Sequence, residues 1–457
     1  MKKTKQIGWN TCFIIAICIV ILPNIVRADL KEILLSFQPY ITLQEEYDSN
    51  LDLTATNRKE DYITSIYVGL KLTPLLKAAV TGELQKVPTT LDRKYGIDLN
   101  FNAGFQFYNK ETDNNYISLN GELNGWYSFT PNLAFRVREY LNRSDEARET
   151  DYAAGSLPNQ YLLATQRGRE VYFRNVFEPS LEYRFGRENL ISGGYRNNLY
   201  KNQSRTSEDS MENAINTRLI YWFNVRNGVS FEYDFTLGNF EDSPNEVGHT
   251  ATGRYTYRFN PRTSIFGEYT QEWRNFDKPS FGEIRSSIDY MVYRPSIGIE
   301  HAFSPTFSGM AQFGYYWQTP EKGPTNDGPV LEVSLSKRAG KTTYTVSSEV
   351  GYAEDYYTSE NLGFTEYARV IGVISHQLFQ RMTIGLFGSY EWAKYPGGVI
   401  ENKTSKDQIW EIGGNASYQI LRWLNFSLGA SYRENRSNIS ERDYSEYRGI
   451  FRITATY

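Results

Sequence analysis

The side chains of this 457-residue chain that could do chemistry are few, and their spacing argues against most kinds of it. Its three histidines, His249, His301 and His376, stand far apart, and no pair has the spacing at which a metal site gathers its ligands. His249, with Glu246 nearby, is the one pairing that could serve a hydrolase as base and acid; a solvated histidine at a loop end is the simpler account. Glu178 with Glu182, and Glu268 with Glu272, could be drawn as a glycosidase pair, but any charged wall offers such pairs. The acidic run of Asp145, Glu146, Glu149 and Asp151 lacks the spaced ligands of a calcium loop. No phosphate-cradling glycine loop stands at a strand-to-helix junction, because there is no α/β alternation to carry one. The expectation is a chain with no catalytic residues, no cofactor and no metal.

Abundant instead are arginines and carboxylates on one side of alternating segments: Arg136, Arg138, Arg174, Glu178, Glu182, Arg184, Arg196, Arg218, Glu232, Asp234, Arg254, Arg258, Glu268, Glu272, Arg274, Arg448 and Arg452. Rows of opposite charge set up a transverse field that orients polar solutes without making or breaking a bond. The same residues could also pair across strands and hold a wall together.

The elements that carry them have a period of two. In 171–185, Val171, Phe173, Phe177, Pro179, Leu181, Tyr183 and Phe185, with Asn175 as the one polar member of the row, alternate with Arg174, Glu178, Ser180, Glu182 and Arg184. Val229, Phe231, Tyr233, Phe235 and Leu237 likewise oppose Ser230, Glu232, Asp234 and Thr236, and Leu424, Phe426, Leu428, Ala430 and Tyr432 oppose Asn425, Ser427, Ser431 and Arg433. Successive side chains of a strand point to opposite faces, so each segment has one apolar face and one charged face.

Short turns punctuate these strands. Four are an apolar residue, a small polar residue and proline, at Leu72-Thr73-Pro74, Phe129-Thr130-Pro131, Phe259-Asn260-Pro261 and Phe303-Ser304-Pro305; five more lie at Gly186-Arg187, Arg226-Asn227-Gly228, Arg338-Ala339-Gly340, Gln380-Arg381 and Leu421-Arg422. Longer polar loops alternate with them, the longest being 144–168. Counting back from the C-terminus, the alternation of turn and loop holds to the strand at 115–128. Upstream, 95–109 is preferred to 76–86 as a wall strand, 75–94 stays unassigned, and strands at about 34–47 and 61–73 complete a set of about 20, within a range of 16–22.

Residues 1–28 read as a cleaved secretory signal, with Lys2, Lys3 and Lys5, an apolar core from Phe13 to Leu22, and Val26-Arg27-Ala28 as the cleavage site. The apolar core is too short for a membrane-spanning helix, and Cys18 lacks a lipoprotein setting. Both cysteines, Cys12 and Cys18, fall in this segment, leaving 29–457 without disulfide or thiolate chemistry. Losing Lys2, Lys3, Lys5 and Arg27 takes the 49 basic residues to 45 against 53 acids, a formal net charge of −8, which argues against a nucleic-acid partner. A mean hydropathy of −0.54 looks soluble, but alternating strands average to polar. The 36 Tyr, 26 Phe and 8 Trp suit aromatic girdles at membrane interfaces better than a globular core.

The final segment, 443–457, shows the pattern most clearly: Tyr447, Gly449, Phe451, Ile453, Ala455 and Tyr457 on one face, Glu446, Arg448, Arg452, Thr454 and Thr456 on the other. It resembles the closing strand of a bacterial outer-membrane β-barrel, and the resemblance implies that Phe451, Ile453 and Tyr457 form the signal read by the barrel assembly machinery. With Gln44-Glu45-Glu46-Tyr47-Asp48-Ser49-Asn50, Leu72-Thr73-Pro74 and the Tyr-rich strands, the whole of 29–457 is similar to the putative β-barrel porin-2 type of outer-membrane protein. That resemblance implies an all-β, antiparallel, up-and-down transmembrane barrel among outer-membrane lipids and lipopolysaccharide, with passive passage of polar solutes and an association with exopolysaccharide production. The charged residues above are then expected to line the lumen, since an Arg near the midplane of the lipid face costs about 2–4 kcal/mol. The loop 144–168, with Tyr161-Leu162-Leu163-Ala164 behind its acidic half, is expected to fold inward and narrow the pore. Two other readings stay open: a plugged structural or adhesive barrel whose loops bind a partner, and a soluble secreted β-sandwich.

Overall fold

The period of two resolves into one antiparallel sheet that closes on itself. A computed structural model describes residues 37–72, 95–146, 169–186, 188–203, 208–277, 289–356, 363–395 and 404–457. The expected signal at 1–28, the unassigned segment 75–94 and nearly all of the loop 144–168 lie outside them. The strands are β1 (Phe37–Asp48), β2 (Asp61–Leu72), β3 (Tyr95–Tyr108), β4 (Tyr116–Thr130), β5 (Leu133–Ser144), β6 (Tyr172–Phe185), β7 (Asn189–Asn202), β8 (Ser210–Trp222), β9 (Asn227–Phe240) and β10 (Glu246–Asn260). They continue with β11 (Thr263–Phe276), β12 (Tyr290–Ser304), β13 (Phe307–Pro320), β14 (Asn326–Ala339), β15 (Thr342–Asp355), β16 (Gly363–Phe379), β17 (Met382–Tyr395), β18 (Ser405–Leu421), β19 (Leu424–Ser437) and β20 (Tyr444–Thr456). Each pairs antiparallel with the next, and β1 pairs with β20 from Tyr40 opposite Thr456 to Asp48 opposite Arg448, so the 20-stranded sheet has no free edge. Closure of this kind leaves no edge strand, which hydrocarbon demands of any spanning sheet, although the long-loop end of β14, before Leu331, lacks a partner on its β15 side. No helix among the described residues is long and apolar enough to cross a membrane.

Eight connections of two to four residues gather at one rim. The Thr/Asn/Ser-Pro turns work through the small polar side chain. Thr130 Oγ1 accepts the amides of Asn132 and Leu133 at 3.2 and 3.0 Å, and Asn260 Oδ1 accepts that of Arg262 at 2.8 Å; proline has no amide to leave unpaired. Gly186 and Gly340 turn with φ of 70° and 60°, where a side chain would be strained. The ninth expected turn, Leu72-Thr73-Pro74, begins where β2 ends, and its continuation is outside the described residues. The other rim carries the longer connections, including 49–60 and 109–115.

The outer face is apolar and exposed in three bands. Aliphatic side chains such as Ile215, Ile297, Leu386, Ile412 and Leu428 form the middle. Phe129, Phe223, Phe259, Phe303, Phe379 and Trp423 are exposed beside the short turns, and Tyr62, Phe107, Trp317 and Tyr447 toward the other rim. Aromatic rings flanking an aliphatic belt are the mark of a wall that meets two headgroup layers. Inside, rings lie flat over glycines of neighbouring strands: a Cβ on Gly298 would stand 2.2 Å from the Phe266 ring and one on Gly69 2.2 Å from that of Tyr40.

Candidate functional site

With the exposed apolar residues marking the outside, strand parity identifies the inside. All seventeen charged residues singled out from the sequence lie on the face opposite the exposed apolar row of their strand. Many meet an opposite charge on the adjacent strand. Arg136 reaches Glu182 at 2.8 Å, Arg138 reaches Glu178 at 3.2 Å, Arg218 reaches Glu232 at 2.8 Å and Arg254 reaches Glu268 at 2.7 Å. Arg196 pairs with Glu212, a partner absent from the sequence reading. Arg258 leaves the wall to meet Glu188 in the β6–β7 turn at 2.7 Å and stacks 3.4 Å over the Trp222 ring. Arg452 donates to the Gln44 side chain. Of the carboxylate pairs weighed as a glycosidase site, Glu178, Glu182 and Glu268 are each engaged by an arginine, and Glu272 takes the Tyr352 hydroxyl at 2.9 Å.

Exposure of these pairs is uneven, 19% for both Arg136 and Glu182 but 57% for Arg138. Toward the short turns, Arg218 and Glu232 keep 38% and 43% of their side-chain surface although they face inward. Toward the long-loop rim the interior is filled. Along β1, Thr42, Gln44, Glu46 and Asp48 are all buried. Glu46 there takes Arg448 of β20 at 2.8 Å, and Asp48 takes Arg169 at 2.7 Å. Arg169, just before β6, also lies 3.5 Å from Asp145, and its Nη1 donates to the Tyr108 hydroxyl at 3.1 Å. β1 and β6 are distant in the wall, so these groups meet through the interior. Burial opposes the Arg169 charge, but Glu146, Asp145 and Asp48 hold it well above the ordinary arginine range. Burial pushes the Asp145 carboxyl up, and Arg169 pulls it back in part.

The row Gln44, Glu46, Asp48, Asn50 explains the Gln44–Asn50 motif: its alternate members all face inward, and Asn50 Nδ2 ties the following loop to β20 through the Ser445 carbonyl at 3.1 Å. Arg169 and Glu354 stand out among the interior charges absent from the seventeen, the others including Glu46, Asp48, Glu212 and Glu246. Arg169 stands outside any alternating strand, and Glu354 continues the outward row of β15.

The histidines stay apart. His249 Nδ1 meets the Tyr233 hydroxyl at 2.7 Å, while His301 and His376 each face a threonine hydroxyl, that of Thr263 at 2.9 Å and that of Thr342 at 2.8 Å. Among the described residues no group of three His, Cys, Asp or Glu is arranged to hold a metal ion. Tyr457, 99% exposed, keeps one backbone bond, its N–H to the Pro39 carbonyl at 2.9 Å, and Phe451 lies 6.0 Å from Phe426 on the outer face.

A closed 20-stranded antiparallel wall with an apolar, girdled outside and a charged inside is a transmembrane β-barrel of the kind found in the outer membrane. Residues 235–457 match the family described as putative beta-barrel porin 2, the family to which the sequence resemblance pointed. The fold is also similar to solved outer-membrane proteins. OpdK from Pseudomonas aeruginosa is 11% identical, with a TM-score of 0.41, covering 92% of this chain and 99% of that one. A BenF-like porin from Pseudomonas fluorescens Pf-5 is 12% identical, with a TM-score of 0.43 over 92% and 99%. The siderophore receptor PirA from Pseudomonas aeruginosa is 9% identical, with a TM-score of 0.46 over 92% and 80%. No curated protein matches the chain.

Proposed function

We propose that this barrel is a porin-like channel through which polar solutes cross the outer membrane passively. The observation that carries the reading is the inward-facing ion pairs that stay solvent-exposed in the short-turn half, of which Arg218–Glu232 is the clearest. Pairs of this kind run along the wall between neighbouring strands rather than across the lumen, so they leave a wet path and contribute little stability, about 0–1 kcal/mol each. The seventeen inward charges would line that path and orient dipolar solutes in it. Passage of a secreted polysaccharide is the finer form of this reading, supported by half-buried tyrosines that share the inner face with arginines, such as Tyr367 beside Arg369. Phe451, Ile453 and Tyr457 would present the closing strand to the assembly machinery, with lipid and lipopolysaccharide around the apolar belt.

A second reading has its own observation. The buried charges around Arg169 fill part of the long-loop half, as they would in a plugged barrel whose loops bind a partner. Single-channel recording of the refolded 29–457 chain in a planar bilayer under a salt gradient separates the two. Stable conductance steps with a reproducible reversal potential are expected of the channel. Silence from a heat-modifiable, folded barrel would overturn it in favour of the plug.

A further inference from the structure

The hairpin of β15 and β16 leaves the wall at its long-loop end. β14 stays paired with β13 as far as Asn326, and β15 with β16 as far as Asp355, yet pairing between β14 and β15 stops at Leu331 opposite Val350. Parity shows where the freed end goes. Tyr344 and Val346 on β15, and Val370 and Ile374 on β16, are exposed on the outer face. Tyr352, Glu354 and Phe364 continue those outward rows with no register shift between. These three nevertheless touch the inward-facing side chains of β11 to β13. The Tyr352 hydroxyl donates to Glu272 at 2.9 Å, and its ring lies 4.8 Å from that of Tyr316. Glu354 accepts Arg274 Nε at 3.0 Å and the Tyr290 hydroxyl at 2.6 Å. The Phe364 ring lies 6.0 Å from those of Tyr290 and Tyr316. Side chains of an outward row can meet the inside of strands two to four places away only if their hairpin has swung into the lumen.

Resting on the channel reading, we infer that this inturned end, residues 351–356 and 363–365, is the size filter of the pore, and that Arg274 is the residue that pins it. Arg274 is itself anchored to the wall, by Glu246 at 3.2 Å and the His249 carbonyl at 3.1 Å. Its bond to Glu354 therefore ties the hairpin to a fixed point. Behind the pin, Tyr290, Val292, Tyr316, Val330, Tyr356 and Phe364 form a buried apolar cluster inside the barrel, which gives the hairpin a reason to stay there. The strand it abandons is suited to the loss. β14 carries Pro329 within the stretch left unpaired by β15, and proline in a sheet is confined to edges and interruptions.

The test is pore size, read in planar bilayers as conductance and as the largest polyethylene glycol that enters and lowers it. Exclusion of a neutral polymer reports width, which a purely electrostatic role of Arg274 would leave unchanged. Arg274→Gln, and separately Tyr352→Ala combined with Phe364→Ala, are expected to raise conductance about two-fold and move the exclusion limit to larger polymers. Arg274→Lys, which keeps the charge on Glu354, is expected to stay near the parent limit. If Arg274→Gln does not give a heat-modifiable barrel, the double truncation carries the test alone. A conducting parent whose folded variants keep the same exclusion limit overturns the filter and leaves the channel standing. A silent parent with conducting variants supports the hairpin as a complete block and overturns the open channel. Silence from the folded parent and every folded variant overturns both.

Discussion

Asp145 looked, in sequence, like one member of a solvated acidic run. In the fold it is 2% exposed, takes the Tyr108 hydroxyl and lies 3.5 Å from Arg169. Its partners come from 37 residues before it and 24 after it, beyond the reach of any local pattern. This contact has a pH signature. Because burial raises the folded value of Asp145 above the ordinary aspartate range, the folded state favours the protonated form. Its contribution to stability is complete below the unfolded value, about 3.9, and is lost as pH rises through the raised folded value. Asp145→Asn should remove that decline. Urea-unfolding midpoints in micelles between about pH 4 and 7 should then flatten relative to the parent, and parallel profiles would show that Asp145 does not titrate in this way. The wall charges were more legible than Asp145, since Arg136 and Glu182 each sit in an alternating strand and neighbouring strands face each other.

Individual strands were legible because alternation and turns are local. Those expected at 95–109, 115–128 and 171–185 are β3, β4 and β6 within a few residues. The seam is a different matter, since β1 and β20 come from opposite ends of the chain. They share nine residue pairs, with Arg448 bound to Glu46 and the Thr42 and Thr454 hydroxyls 2.9 Å apart. Removing Ile453–Tyr457 would strip the pairs from Leu43 opposite Ile453 to Tyr40 opposite Thr456, and would leave an unpaired edge that hydrocarbon cannot satisfy. The truncated chain should lose its heat-modifiable band after refolding into detergent. A truncated barrel that keeps both that band and the parent's urea midpoint would mean that closure does not depend on this end of the seam. The β15–β16 hairpin carries the same lesson in reverse. Its sequence alternates like any other pair of strands, and the one local signal, the carboxylate of Glu354 in the row of Val346, stands so near a loop end that it does not by itself show an inward turn.

For the molecule as a whole, the sign of a substitution should depend on which face it enters. Leu335 and Ser334 are adjacent in β14; Leu335 is 38% exposed on the outer face, and Ser334 faces inward on the same side as Glu332. Leu335→Arg should destabilise the barrel in lipid by about 2–4 kcal/mol, whereas Ser334→Arg should cost little. Urea-unfolding midpoints in lipid vesicles measure both, and equal losses would contradict a lipid-facing belt. The sequence alone determined that the chain is a set of about twenty two-faced strands, that one face is apolar and aromatic while the other is charged, and that turns and loops alternate, because strand periodicity and turn chemistry are set by neighbouring residues. Tertiary structure decided which charges neutralise one another, that the first and last strands meet, and that the end of one hairpin turns into the lumen. Each of these depends on groups far apart in the chain, whose burial and pairing energies exist only once the barrel has closed.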